Sequence, residues 1–379
     1  MITWGLGTER LISGRDLVRP GASPTAYDET VGVKGGCRYA GGMTTIKDVA
    51  KRAGVSTAVV SAVISGARGN VRMSEATRLR VEQAIQDTGY RVNHAAQSLR
   101  LSRSGVIAAV VPKIANPVFE LAIRGMHAAA EEHGDVLLLA DALWIEPGSH
   151  LMSRIVGTGM VDGVLLRSTQ WGTETAEELT KRSIPYVILQ NPRPDDSVSV
   201  WIDDAAGIGL ATTHLLGLGH RRIALVGGPL VPIASSARVD GYRSALRAAG
   251  VRFDRSLIKQ VGYEPPDLAT ATRELLGSAR PPSALIIDNI VAAPGAIAAI
   301  LDLGLRIPAD LSIVVYQDLP IADAMRPAPS TVRMPVQQAG MRAYTTLRRL
   351  IDGRRVQSAL VTRPAPKLID RGSTAPYAG

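Results

Sequence analysis

From Ser104 onward, short apolar runs recur with helical stretches between them, and this alternation constrains the fold more than any other feature of the 379-residue chain. The runs are Val106 to Val111, Val136 to Ala140, Val161 to Leu166, Tyr186 to Leu189, Ile223 to Val226, Leu257 to Val261, Ala284 to Ile287 and Ile313 to Tyr316. Between them, Phe119 to Glu132, Ala205 to Leu218, Val239 to Ala249 and Ala292 to Leu303 have helical spacing and end near glycine. Unbroken apolar runs read as strands covered on both faces, so the pattern predicts parallel sheets flanked by helices. Roughly 250 residues of such units exceed one comfortable sheet; two similar lobes are expected, with a ligand crevice beyond the carboxyl ends of their strands.

Upstream, Met43 to Leu101 has a different pattern. Ile46, Val49, Ala50 and Ala53 share one helical face, and Thr45 with Asp48 has capping-box spacing. Gly54 is placed to stop that helix in a left-handed conformation. Ser56 then caps a second helix with Val59, Val60, Val63 and Ile64 on one side, and Ser74 caps a third that offers Val81, Ala84 and Ile85 before Gly89. Two short helices joined by a glycine turn make a helix-turn-helix. Capped amphipathic helices are common, and charge separates this set from an ordinary helical subdomain. Met43 to Ser104 holds ten Lys or Arg against four acids, a net +6 of the chain's +9. Concentrated positive charge of this kind favours phosphates.

Thr45-Ile46-Lys47-Asp48-Val49-Ala50, Ala53-Gly54-Val55-Ser56, Val60-Ser61, Gly89-Tyr90 and Asn93 resemble the DNA-binding headpiece of the lactose-repressor (LacI/GalR) family of bacterial transcription regulators. Further on, Ile114 to Phe119, Val161-Asp162-Gly163, His214 to Ala224, Gly227-Gly228 and Arg238 to Tyr242 are similar to the effector core of the same family. The resemblance implies an α/β chain with a three-helix headpiece over 43–92, a hinge helix over 93–103 and a two-lobed core over 104–370, like that of periplasmic sugar-binding proteins, followed by a 371–379 tail. The implied lobes are 104–198 plus 333–353 and 199–332 plus 354–370. No heptad pattern follows Asp370 to support a tetramer.

In that family the second helix enters the major groove, and the positions that would read bases here are Thr57, Ala58 and Ala62, all small. Ala62 stands where arginine is common and Val59 where threonine is common. A guanine-reading fork, worth about 1–3 kcal/mol of discrimination, is therefore missing, which leaves methyl contacts with thymine. Thr45, Ser56, Ser61 and Ser65 keep hydroxyls for phosphates, and capping by Thr45 and Ser56 is compatible with that role. Arg91 to Arg100 resembles the family's hinge helix. By position Leu99 would be its minor-groove wedge, with Asn93 and Ala96 beside it. Val92 replaces the usual proline, and His94 adds a pH-sensitive group.

For the effector pocket the resemblance implies Arg238 and Asn289 as hydroxyl-gripping residues, but Gln317 stands in Val315-Tyr316-Gln317-Asp318 where a carboxylate is usual. Ile290 likewise follows Asn289 in place of an acid, and Met334 sits where a polar group is frequent. A neutral amide holds a hydroxyl less strongly than a carboxylate does, so a less polar or an anionic effector is an alternative to a plain sugar. Phe119, Trp201 and Tyr316 are stacking candidates, each equally explicable as core, with Trp144 and Trp171 in reserve. Asp203 and Asp204 either cap the helix near Ala205 or touch ligand.

The basic balance, with a sequence pI near 9.9, suits an anionic partner, and the single cysteine, Cys37, precludes an internal disulfide and suits a reducing compartment. Residues 1–42 lack periodicity and any run suited to a signal peptide or membrane span. They are expected to be disordered, and a misassigned start codon before Met43 would explain them. The chain lacks a Gly-x-Ser-x-Gly elbow, a Walker loop and His-Glu-x-x-His, and its six histidines lack ligand spacing. The expectation is a cytoplasmic, nucleoid-associated, non-enzymatic repressor without cofactor. It binds operator DNA as a homodimer and answers to a sugar-like effector. The alternatives are a solute-binding protein without DNA regulation and a regulator with a degenerate pocket.

Overall fold

The computed structural model describes residues 44–64, 73–91, 103–142, 145, 147–157, 159–167, 172–189, 197–228 and 234–379. The extension 1–42 and the expected contacts Ser65, Asn93, Ala96, Leu99, Trp144 and Trp171 lie outside these residues. The chain divides into two compact units, Met1–Val92 and Asn93–Gly379.

In the first unit, α1 (Ile46–Ala53), α2 (Thr57–Ile64) and α3 (Glu75–Thr88) close on Val49, Val60 and Val81, each fully buried, with Ala50, Ala53 and Ala84 filling between them. Burial of each valine contributes about 1.5–3 kcal/mol. The start of α1 is held by Asp48, whose carboxylate accepts from the Thr45 N–H at 2.8 Å and the Thr45 hydroxyl at 2.7 Å. Those bonds, the backbone one foremost, hold the Asp48 carboxyl below its usual range. Ser56 and Ser74 cap the next two helices, accepting from Val59 at 3.4 Å and Thr77 at 3.2 Å. Gly54 (φ 67°) and Gly89 (φ 63°) end α1 and α3 in the left-handed region, where a side chain would be strained.

The second unit holds two sheets. The first has the order β2-β1-β3-β4, built from β1 (Val106–Val111), β2 (Val136–Asp141), β3 (Gly163–Leu166) and β4 (Tyr186–Ile188), all pairs parallel. Helices α4 (Glu120–His133), α5 (His150–Gly157) and α6 (Gly172–Lys181) connect them. After β5 (Val200–Ile202) and α7 (Asp204–Gly217), the second sheet is assembled from β6 (Ile223–Gly227), β7 (Ile258–Gln260), β8 (Ala284–Ile287), β9 (Ser312–Tyr316) and β10 (Ser330–Arg333). Its helices are α8 (Ala234–Ala248), α9 (Pro265–Leu276), α10 (Ala293–Asp302) and the short α11 (Ile321–Ala324). Following α12 (Val336–Ile351), β11 (Ala359–Val361) pairs with β5, and β12 (Lys367–Ile369) closes the second sheet in the order β12-β10-β9-β8-β6-β7. Only β12 runs antiparallel to its neighbour. Apolar clusters cover both faces of each sheet, which is why the strands are unbroken apolar runs.

The lobe boundaries differ from those expected. Ser199 bridges Ile188, and Val200–Ile202 pairs with Ala359–Val361. Val200, Ala359 and Val361 pack into the same core as Ile107 and Leu165. Residues 199–202 and 354–361 therefore belong with the first lobe, so the chain crosses after Ile202 and returns to the second lobe after Val361. Strands of three residues are too short for periodicity to register. In the first lobe α12 crosses α4 closely enough that a Cβ on Gly125 would lie 2.0 Å from the Gln337 carbonyl oxygen, and one on Gly340 2.1 Å from that of Ala122.

Candidate nucleic-acid interface and ligand crevice

The amino end of α2 is open to solvent. Ser56, Thr57 and Ala58 are exposed, whereas Ser61 and Ala62, one turn on, are half-buried. Exposed N–H groups at a helix start attract anions. Lys47, Arg80 and Arg91 are exposed and form no ion pair among the described residues, while Lys51 acts on the Asp48 carboxylate, Arg52 pairs with Asp87 at 3.1 Å and Arg78 with Glu82 at 3.0 Å. The unpaired cations leave the surface with phosphate-binding capacity that helix packing does not consume.

In the second unit, the crevice between the lobes is lined by Phe119 and Ala122 at the start of α4, Trp201 on β5, Arg167 after β3, Asp204, Arg238 and Gln317. Four expected residues, Phe119, Trp201, Arg238 and Gln317, are thus brought together. Asn289 is not one of the lining residues. It is 6% exposed, and its side-chain oxygen accepts the Val291 N–H at 2.8 Å, closing a tight turn after β8.

Arg238, 7% exposed, is the centre of a buried network. Its Nε donates to Asp204 at 3.0 Å, and one Nη donates to the Asp288 carbonyl at 3.1 Å and carboxylate at 3.4 Å. The guanidinium lies over the Tyr316 ring, 4.6 Å from its centroid, and the Tyr316 hydroxyl donates to Asp204 at 2.7 Å. Asp203 accepts the Ala206 N–H at 2.9 Å and caps α7, which frees Asp204 to turn inward. Burial would lower the Arg238 pKa, but the two carboxylates outweigh it and hold the group well above its ordinary value. For Asp288 burial wins over Arg238 and raises the carboxyl. Gly227 makes room for that carboxylate, because a Cβ there would lie 1.9 Å from the Asp288 Cγ.

Arg167 and Asp288 are not distinguished by the sequence, and Asp204 is ambiguous there, because lone charged residues at strand ends carry no periodic signal. Tyr316 is fully buried in the second-lobe core and touches the crevice network through Asp204 and Arg238. Met334 is likewise core. Gln317 has φ 73°, a left-handed conformation rare for a residue with a side chain, and its buried Oε1 has no hydrogen-bond partner. The free space of the crevice is about 60 Å³, room for about two water molecules. Lys113 of the first lobe pairs with Glu264 of the second across the mouth. Beside the crevice, a wider recess of about 540 Å³ is lined by Arg333, Lys367 and Arg371, with Asp318 and Asp323. Among the described residues no cluster of His, Cys, Asp or Glu is placed to hold a metal ion, and no helix is long and apolar enough to cross a membrane.

Comparison with known proteins decides the family. The profile of bacterial regulatory proteins, lacI family, matches residues 45–93, and that of the periplasmic binding protein-like domain matches 212–374. The ribose operon repressor of Escherichia coli (strain K12) is 31% identical over 336 residues, 87% of this chain and 100% of that protein. The chain belongs to the lacI family. A solved LacI family transcriptional regulator from Mycobacterium smegmatis is 35% identical with a TM-score of 0.65, covering 71% of this chain and 99% of that one. The transcriptional regulator CelR, solved as a cellobiose complex, is 29% identical with a TM-score of 0.63, covering 87% and 99%. This lacI-family chain is accordingly a DNA-binding transcriptional regulator.

Proposed function

We propose that this lacI-family regulator is a repressor that binds a near-palindromic operator as a homodimer in the cytoplasm, on the nucleoid, and that a small hydroxylated effector taken into the crevice changes its operator affinity. The observation that carries the reading is the pairing of an exposed, cation-flanked α2 start with a two-lobed core whose facing walls hold a buried arginine and an orphaned amide oxygen. Thr45, Ser56, Ser61 and Ser65 are assigned to phosphates, Thr57, Ala58 and Ala62 to base edges, and Asn93, Ala96 and Leu99 to the minor groove at the operator centre. Phe119, Trp201, Arg238 and Gln317 are assigned to the effector; Asn289 shapes the turn behind them. We read the chain as a binding protein without catalysis, with a headpiece over 43–92, a hinge over 93–103 and an effector and dimerisation core beyond.

The crevice is smaller than the roughly 300–1,000 Å³ usual for ligand sites, so an effector enters only when the lobes part. Opening moves the ends of the first lobe, from which the hinge leaves, and this couples the pocket to the operator. The name of the ribose operon repressor and the cellobiose bound to CelR support a sugar-like effector. Footprinting of the purified protein on its own genomic DNA tests the reading: protection of two-fold symmetric sites that survives physiological salt is expected. Salt-abolished binding without sequence preference refutes it.

A further inference from the structure

Arg167 is the one crevice cation that forms no ion pair with a carboxylate among the described residues. It follows β3, lines the first-lobe wall and donates a hydrogen bond from Nη1 to the Leu189 carbonyl at 2.6 Å. Its guanidinium carbon lies 5.9 Å from the Phe119 ring centroid. Across the crevice, Asp204 and Asp288 are both committed to Arg238, and Asp204 also accepts from Tyr316. A guanidinium offers five N–H donors in a fixed fork and stays charged in proteins. Holding such a group in a partly desolvated crevice, near a second arginine, is unfavourable unless an anion completes it.

The surroundings of Arg167 confirm the imbalance. Burial lowers its basicity, Asp204 only partly offsets this, and Arg238 adds to the penalty. Gln317 contributes the complementary demand, since its buried Oε1 accepts nothing from the protein and needs a hydroxyl or N–H donor. Phe119 and Trp201 supply flat apolar walls between these polar points.

We propose that Arg167 is an effector-binding residue and that the effector is a hydroxylated compound carrying an anionic group, a carboxylate or a phosphate, with the anion on Arg167 and a hydroxyl on Gln317. This inference rests on the crevice being the effector site and narrows its chemistry from neutral sugars to sugar acids or sugar phosphates.

The test uses the full chain and matched probes: glucose, gluconate and glucose 6-phosphate, then ribose and ribose 5-phosphate, with inorganic phosphate alone for the anion subsite. Thermal unfolding is recorded at constant ionic strength for the wild type, Arg167→Gln, Arg167→Lys and the exposed-site control Arg342→Gln. At ten times its Kd an anionic ligand raises Tm by about 3–6 °C. The wild type and Arg342→Gln are expected to show this shift, Arg167→Gln to lose it, and Arg167→Lys to keep part of it. A gluconate shift without a phosphate shift identifies the carboxylate source, and the reverse identifies the phosphate source. Phosphate held by the basic first unit would persist in Arg167→Gln, so the variant comparison decides the site. Neutral sugars bound as tightly as their anionic partners, an undiminished shift in Arg167→Gln, or no shift with any probe each overturns the proposal. Footprinting on genomic DNA is read separately, so the operator assignment stands or falls independently of this result.

Discussion

Arg238→Ala is the most informative single perturbation. The wild-type side chain neutralises two carboxylates that are themselves almost without solvent, Asp204 at 7% and Asp288 at 4% exposed. Removing one partner of a buried ion pair costs about 3–5 kcal/mol, most of it the charge left behind. Each kcal/mol lowers Tm by about 2–4 °C in a domain of this size class, so a fall of about 10 °C at pH 7 is expected. The pH dependence separates charge from packing. Burial already raises the Asp288 carboxyl, and without the guanidinium that opposes burial it must rise further. An acid whose folded-state pKa is raised costs stability above that pKa, and the cost disappears as pH falls through it. The difference in Tm between wild type and variant should therefore narrow from neutrality down toward about pH 4, near the unfolded carboxyl value. Differential scanning calorimetry at several pH values measures this, and a gap that stays constant across the range would show that lost packing against Tyr316, not stranded charge, is responsible.

Leu99→Ala should lower operator affinity about tenfold or more, as loss of a wedge that compensates base unstacking would; equal affinity in a gel-shift titration removes the wedge. Gly227→Ala places a methyl group 1.9 Å from the Asp288 Cγ, so it should displace that carboxylate, lower Tm and weaken the effector response, and unchanged calorimetry would contradict the geometry. Asp318 accepts from Thr331 at 2.6 Å, Arg333 at 2.7 Å and Arg371 at 2.8 Å. Burial would raise its carboxyl, but these donors win and lower it. Its stabilisation is present above about pH 4 and lost as pH falls through the lowered folded-state value. Asp318→Asn should cost roughly 1.5–3 kcal/mol at pH 7 and little in strong acid, checked by urea unfolding.

Much of the architecture was legible along the chain because it rests on local rules. Capping residues and left-handed glycines act over a few positions, so Thr45, Ser56, Ser74, Gly54 and Gly89 marked the three helices of the first unit. Strands buried on both faces must be apolar throughout, and β1 and β8 match the expected runs residue for residue. The three-residue strands Val200–Ile202 and Ala359–Val361 escaped notice because their partner is more than 150 residues away and nothing local requires it.

The crevice was legible to a lesser degree. Residue type and resemblance nominated Arg238, Gln317, Phe119 and Trp201, but side-chain chemistry does not say which partner a charged group will meet. Asp203 and Asp204 are adjacent and chemically identical; one caps a helix and the other holds Arg238 because the helix axis aims successive side chains about 100° apart. Asn289 lies next to Asp288, yet its amide is consumed by the turn. Arg167 was invisible as a site because its significance is a missing neighbour, a property of three-dimensional space. Composition and periodicity specify which surfaces are buried; which buried charges are matched, and which stay open to a ligand, depends on how the two lobes are brought face to face.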